Sequence, residues 1–150
     1  MKHAVLGTLA GLERVDPDHK LPLILIGYSR GGGMAVELAG LSPALGLAPK
    51  AVLGVFPADM EAPIDFSSTS RETRFLFLVG DMDTVVGDVG ARRLSERLLS
   101  AGLPPANIQT RVVHSPLGFE ATHLSVLSDS NDARRAFWIP ADTVVDEARG

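Results

Sequence analysis

The sequence predicts an α/β fold, a mostly parallel sheet flanked by helices. Three observations carry that prediction. Residues 21–26, 51–56 and 73–80 are apolar runs with little polar alternation, the pattern of strands covered on both faces. A segment of helical period follows the first run and another follows the third, and strands alternating with helices make βα units. A chain of 150 residues, 45% hydrophobic and 21% charged, suits one domain, residues 1–150, with a real core.

In chain order, Ala4, Val5, Leu9 and Leu12 recur at helical spacing, and Asp16-Pro17-Asp18 ends that helix. The first strand follows over residues 21–26. After a glycine-rich turn, Met34, Ala35, Leu38, Ala39 and Leu41 give the next helix an apolar stripe, which stops between Gly40 and Pro43. The second strand, 51–56, is closed by Pro57. Residues 60–72 are polar, contain Pro63, and are too few for a lid domain. Beyond the third strand, Asp88 can cap a helix whose Ala91, Leu94, Leu98 and Ala101 share one face, with Gly102 and Pro104 ending it. Residues 108–114 form a strand of mixed polarity, expected near a sheet edge. A loop over 117–130 leads to a short helical tail at 133–138 that resumes after Pro140.

Composition narrows the function classes. Net charge is −4 with no block of Lys or Arg, so nothing favours nucleic acid or an anionic membrane. Cysteine is absent, which removes disulfides and thiolate metal sites. The first ten residues lack an adequate apolar signal region, and no run approaches ~18 apolar residues. The compartment stays unknown.

The chemistry-bearing stretch is Gly27-Tyr28-Ser29-Arg30-Gly31, a G-x-S-x-G pattern at the junction of strand and helix. There the pattern means a nucleophile elbow: a sharp turn holds the serine, and side chains two residues away would crowd it. With Ser29 at the helix start, the Arg30 backbone N–H points to where a tetrahedral oxyanion would form. The alternative is a glycine-rich turn before an ordinary helix. Phosphate binding fits worse, since a G-x-G-x-x-G pattern from Gly31 would place its last glycine at Val36.

A serine hydroxyl is a weak nucleophile and needs a base, which in turn needs an acid to fix its tautomer. Loops at the carboxyl ends of parallel strands are where partners gather. The loop after the third strand offers Asp83, and that after the fourth offers His123. Asp81 is a rival acid, better suited to a turn, and Asp59 after the second strand is another. His114 is a rival base, while His3 and His19 flank the first strand on its amino side. Asp81 and Asp83 together could also hold Mg²⁺ or Mn²⁺. Tyr28, Met82, Leu117 and Phe119 could line an acyl pocket, or serve as loop anchors and core.

These motifs, G-Y-S-R-G-G at residues 27–32, G-D-M-D-T-V-V at 80–86 and the late His123, resemble the C-terminal catalytic portion of the α/β-hydrolase superfamily, in its esterase or dienelactone-hydrolase-like branch. The resemblance covers about residues 21–138. It implies a serine hydrolase of carboxylesterase type acting on a small-molecule acyl substrate without a cofactor or metal: Ser29 as nucleophile, His123 as base and then acid, Asp83 as orienter, and Arg30 N–H in the oxyanion hole. It also implies a partial fold lacking the N-terminal strands. The loop giving the second oxyanion N–H would then be missing, a loss worth about 10² to 10³ in rate in a known case. The first strand would become an apolar edge open to pairing. The competing expectation is a non-catalytic remnant or partner-binding module.

Overall fold

The structure, a computed structural model, describes residues 2–18, 20–116 and 118–150, with side chains from residue 5 onward. Four parallel strands form one sheet in the order β1-β2-β3-β4: β1 (Ile24–Tyr28), β2 (Ala51–Val55), β3 (Arg74–Gly80) and β4 (Ile108–Val113). The register pairs Ile24 with Ala51, Ala51 with Arg74, and Phe75 with Ile108.

Alternation along the strands divides the core into two layers. Leu25, Val52, Phe75, Phe77 and Val79 point to one face. There they meet Val36 and Ala39 of α2 (Arg30–Leu41) and Ala91, Leu94 and Leu98 of α3 (Val89–Ser100). Val5 of α1 (Lys2–Val15) packs on the same cluster. Leu53, Val55 and Leu78 point to the other face, against Ala133 and Phe137 of the C-terminal helical segment. This is a three-layer α/β/α sandwich.

The strand β1 begins three residues later than its apolar run. Pro22 has no N–H to give a ladder, and pairing starts only where Lys50 N–H meets the Leu23 carbonyl at 2.8 Å. The expectation of full cover fails at Ile26, which is 50% exposed on a strand with one neighbour. Because Leu23 accepts from Lys50 and Ser29 donates to Val55, the odd-numbered residues face β2. The N–H and C=O groups of Ile24, Ile26 and Tyr28 therefore point outward.

The segment between β2 and β3 has no helix, but it is anchored. Phe66 is buried where Gly40 of α2 leaves room; a Cβ on Gly40 would lie 2.8 Å from the Phe66 ring. Asp88 occupies the cap position of α3 as expected, yet its side chain makes no capping bond.

The C-terminal tail departs from expectation, for it does not break at Pro140. The segments α4 (Asn131–Ala133), one π turn (Arg134–Trp138) and α5 (Ile139–Arg149) are contiguous. Proline lacks the N–H an α-helix needs and clashes with the carbonyl four residues back. The wider turn, in which Ile139 N–H reaches the Arg134 carbonyl, absorbs that defect and leaves Phe137 buried beneath the sheet.

Candidate active site

Three side chains converge at the carboxyl end of the sheet. Ser29 follows β1 directly, at φ 56° and ψ −123°. Such a conformation is rare for a residue with a Cβ and is held by its surroundings. Ser29 N–H donates to the Val55 carbonyl, and the Ser29 carbonyl accepts from Gly32, Gly33 and Ala58. Gly27 must be a glycine here, since a Cβ would sit 2.1 Å from the Gly31 carbonyl oxygen. A serine before a helix normally caps it, but Ser29 makes no capping bond, which leaves its hydroxyl for another partner.

That partner is His123. Its Nε2 lies 2.9 Å from Ser29 Oγ, and its Nδ1 lies 3.0 Å from Asp83 Oδ2. Asp83 is fully buried at the side chain, and its other oxygen accepts from the N–H groups of Val85 and Val86. Burial pushes its carboxyl up, but the hydrogen bonds from His123, Val85 and Val86 outweigh that and hold it below its ordinary value. Asp83 is thus an ionised acceptor at neutral pH, which suits an imidazole carrying its proton on Nδ1. Arg30 opens α2 directly after Ser29, and its N–H lies in the first turn at the positive end of the helix dipole, while the N–H groups of Gly32 and Gly33 are taken by the Ser29 carbonyl.

No family model and no curated protein matches the chain. Solved structures do. The esterase domain from a Rhodothermus marinus protein is 21% identical with a TM-score of 0.58, the match covering 97% of this chain and 67% of that one. An alpha/beta hydrolase enzyme from a Medee basin deep-sea metagenome library is 17% identical with a TM-score of 0.51, covering 82% of this chain and 54% of that one. The chain has an α/β-hydrolase-like fold. It spans about two thirds of the first of these structures and about half of the second. The four-stranded sheet is a partial form of that α/β-hydrolase-like fold.

Within this α/β-hydrolase-like frame the rival residues have other partners. Asp81 accepts from Ser115 twice, from its hydroxyl at 2.5 Å and its N–H at 3.0 Å, and these bonds lower its carboxyl. Ser115 Oγ in turn accepts from Ala121 N–H, two residues before His123. This clasp is not evident from residue pattern alone, its one trace in the sequence being a serine just past a strand end with a second acid after the neighbouring strand. His114 is largely exposed, with Nδ1 3.4 Å from Asp81. Asp59 is bound to Arg97 Nη1 at 2.9 Å. Asp81 and Asp83 thus spend their oxygens on different protein groups. His19 and Leu117 lie outside the described residues, as does the His3 side chain.

The pocket candidates divide. Tyr28 and Phe119 pack against the core cluster of Leu53, Phe56 and Leu78. Met82 is half exposed and, with Pro116 and Phe119, borders an open groove of about 700 Å³.

Proposed function

We propose that this chain is a serine hydrolase cleaving a carboxylic ester or a related acyl compound, of carboxylesterase type. The observation that carries the reading is the unbroken line from Ser29 Oγ to His123 Nε2 and from His123 Nδ1 to the buried Asp83 carboxylate.

Ser29 Oγ attacks the substrate carbonyl carbon while His123 Nε2 takes the hydroxyl proton. Asp83 holds the imidazole in the tautomer that leaves Nε2 free to accept, and stabilises the imidazolium that forms. The carbonyl oxygen becomes an oxyanion facing the Arg30 N–H and the α2 terminus. Collapse breaks the acyl–oxygen bond, and the departing alkoxide takes its proton from His123. Water then attacks the acyl-Ser29 ester with His123 again as base, which releases the acid and restores the hydroxyl. The reaction requires neutral imidazole, so the rate falls on the acid side. The small-molecule acyl substrate enters over the loops at the strand ends that carry Ser29 and His123.

A fluorophosphonate reagent tests this directly, because it reacts with an activated serine and needs no knowledge of the substrate. Wild-type protein is expected to label at Ser29 and Ser29→Ala to remain unlabelled. Equal signal from both proteins overturns the proposal.

A further inference from the structure

The imidazole of His123 has neighbours that the hydroxyl–carboxylate line does not use. Tyr28 O–H donates to the His123 backbone carbonyl at 2.8 Å across 95 residues of sequence. The Tyr28 ring also lies against the imidazole, with centroids 5.1 Å apart and planes tilted by 36°. Phe56 approaches at 5.4 Å and 48°. The two aromatic rings meet each other edge to face at 6.3 Å. Both leave the carboxyl ends of neighbouring strands, Tyr28 as the last residue of β1 and Phe56 directly after β2.

Phe56 is held there against its backbone preference. It is fully buried with φ 47°, a conformation that a bulky residue adopts only when its surroundings impose it. Its N–H donates to the Leu78 carbonyl at 2.7 Å, and its ring packs on Phe137 at 5.2 Å. The fold thus keeps a strained turn whose result is an aromatic ring against the imidazole.

We infer that Tyr28 and Phe56 are positioning residues that clamp His123, Tyr28 fixing its main chain through the hydroxyl and the two rings fixing the attitude of the imidazole. The inference rests on the serine-hydrolase reading for its catalytic consequence. A base works only when its nitrogen stays within hydrogen-bond reach of the hydroxyl it deprotonates, and a small misplacement is costly. Aromatic faces also attract a cation, so the imidazolium formed in the transition state gains more from them than the neutral ring does.

The test compares Tyr28→Phe, which removes only the hydroxyl, with Tyr28→Leu, which removes hydroxyl and ring together. Fluorophosphonate labelling is followed as kinact and KI, with labelled stoichiometry giving the fraction of folded sites. The clamp predicts kinact lower by about fivefold in Tyr28→Phe and by about fiftyfold in Tyr28→Leu, with KI and stoichiometry unchanged. A role confined to folding would reduce stoichiometry and leave kinact intact, which overturns the inference. A second readout is independent of the reagent: the downfield proton resonance of the His123–Asp83 hydrogen bond. It is expected to shift in Tyr28→Phe and to broaden in Tyr28→Leu; an unchanged resonance in both variants overturns the clamp. Should wild-type protein fail to label while the resonance responds as expected, the hydrolase reading fails and the clamp stands.

Discussion

A single methyl group at Gly80 offers a quantitative test of how the histidine-bearing loop is held. Gly80 ends β3, and an ideal Cβ there would lie 2.0 Å from the Ala121 carbonyl oxygen and 2.9 Å from the Phe56 ring. A comfortable carbon–oxygen contact is about 3.3 Å, so in Gly80→Ala the carbonyl must retreat by about 1.3 Å. Ala121 is fully buried and tied through Ser115 to Asp81, so the displacement passes along the chain to His123, two residues on. The 2.9 Å approach of Nε2 to Ser29 Oγ cannot survive a shift of that size. A misplacement of about 1 Å is associated with a loss of about 10²-fold. The assay is fluorophosphonate labelling beside circular dichroism and thermal melting. Gly80→Ala is expected to stay folded, to lose about 1–3 kcal/mol of stability through overpacking, and to label about 10²-fold more slowly. A labelling rate within about threefold of wild type in the folded variant refutes the reasoning.

Other perturbations separate the remaining contributions. Asp83→Asn is expected to slow labelling by about 10⁴-fold, the loss seen for the corresponding change in a reference serine protease, because the amide no longer enforces the imidazole tautomer. The same variant tests a pH linkage. Asp83 is lowered in the folded state, so its stabilisation is present above its unfolded value and lost as pH falls through the folded one. Wild-type melting temperature should therefore drop more steeply on acidification than that of Asp83→Asn. Glu37 runs the other way. It is buried in α2 with Oε1 unpartnered, and burial raises its carboxyl above the ordinary value although the Ala62 N–H and the Arg97 charge oppose the rise. Its contribution is then fully present below the unfolded value and lost as pH rises through the folded one. Glu37→Gln is expected to gain about 1–2 kcal/mol relative to wild type at pH 8, and little at pH 4, in denaturant titrations. At the open edge of β1 we propose pairing, since Ile24, Ile26 and Tyr28 turn their backbone groups outward and Ile26 adds a half-exposed apolar side chain. Sedimentation should show concentration-dependent association of the wild-type chain that Ile26→Lys abolishes; a wild-type monomer at all concentrations rules the pairing out.

The parts of the molecule that were legible in the sequence are those where burial dictates residue type. The strands β2 and β3 are buried nearly throughout and read as continuous apolar runs, and the stripe of Ala91, Leu94 and Leu98 faces the core as its spacing requires. The meeting of Ser29, Asp83 and His123 could be anticipated because each follows the carboxyl end of a strand in one sheet. What escaped the sequence depends on main-chain atoms or on conformations the residue type does not advertise. The Tyr28 hydroxyl bonds a backbone carbonyl, which exists at every position and marks none. Phe56 has no intrinsic tendency toward positive φ, so no pattern signals its turn. Pro140 reads as a break because a proline disrupts an ideal α-helix, whereas the actual helix widens by one residue per turn to pass it.

The turn after β2 is seated so closely that it leaves few substitutions open. Cβ atoms on Gly33 and Gly90 would lie 1.9 Å from the Ala58 carbonyl oxygen and 2.0 Å from that of Pro57, so α2 and α3 grip the same three-residue corner through bare backbone. Larger residues there would push the corner, and with it Phe56, away from the imidazole. By contrast, Met82, Pro116 and Phe119 border their groove from loops outside that grip. Residues along that groove are therefore free to vary without disturbing the glycine-lined corner that seats Phe56 against the His123 ring.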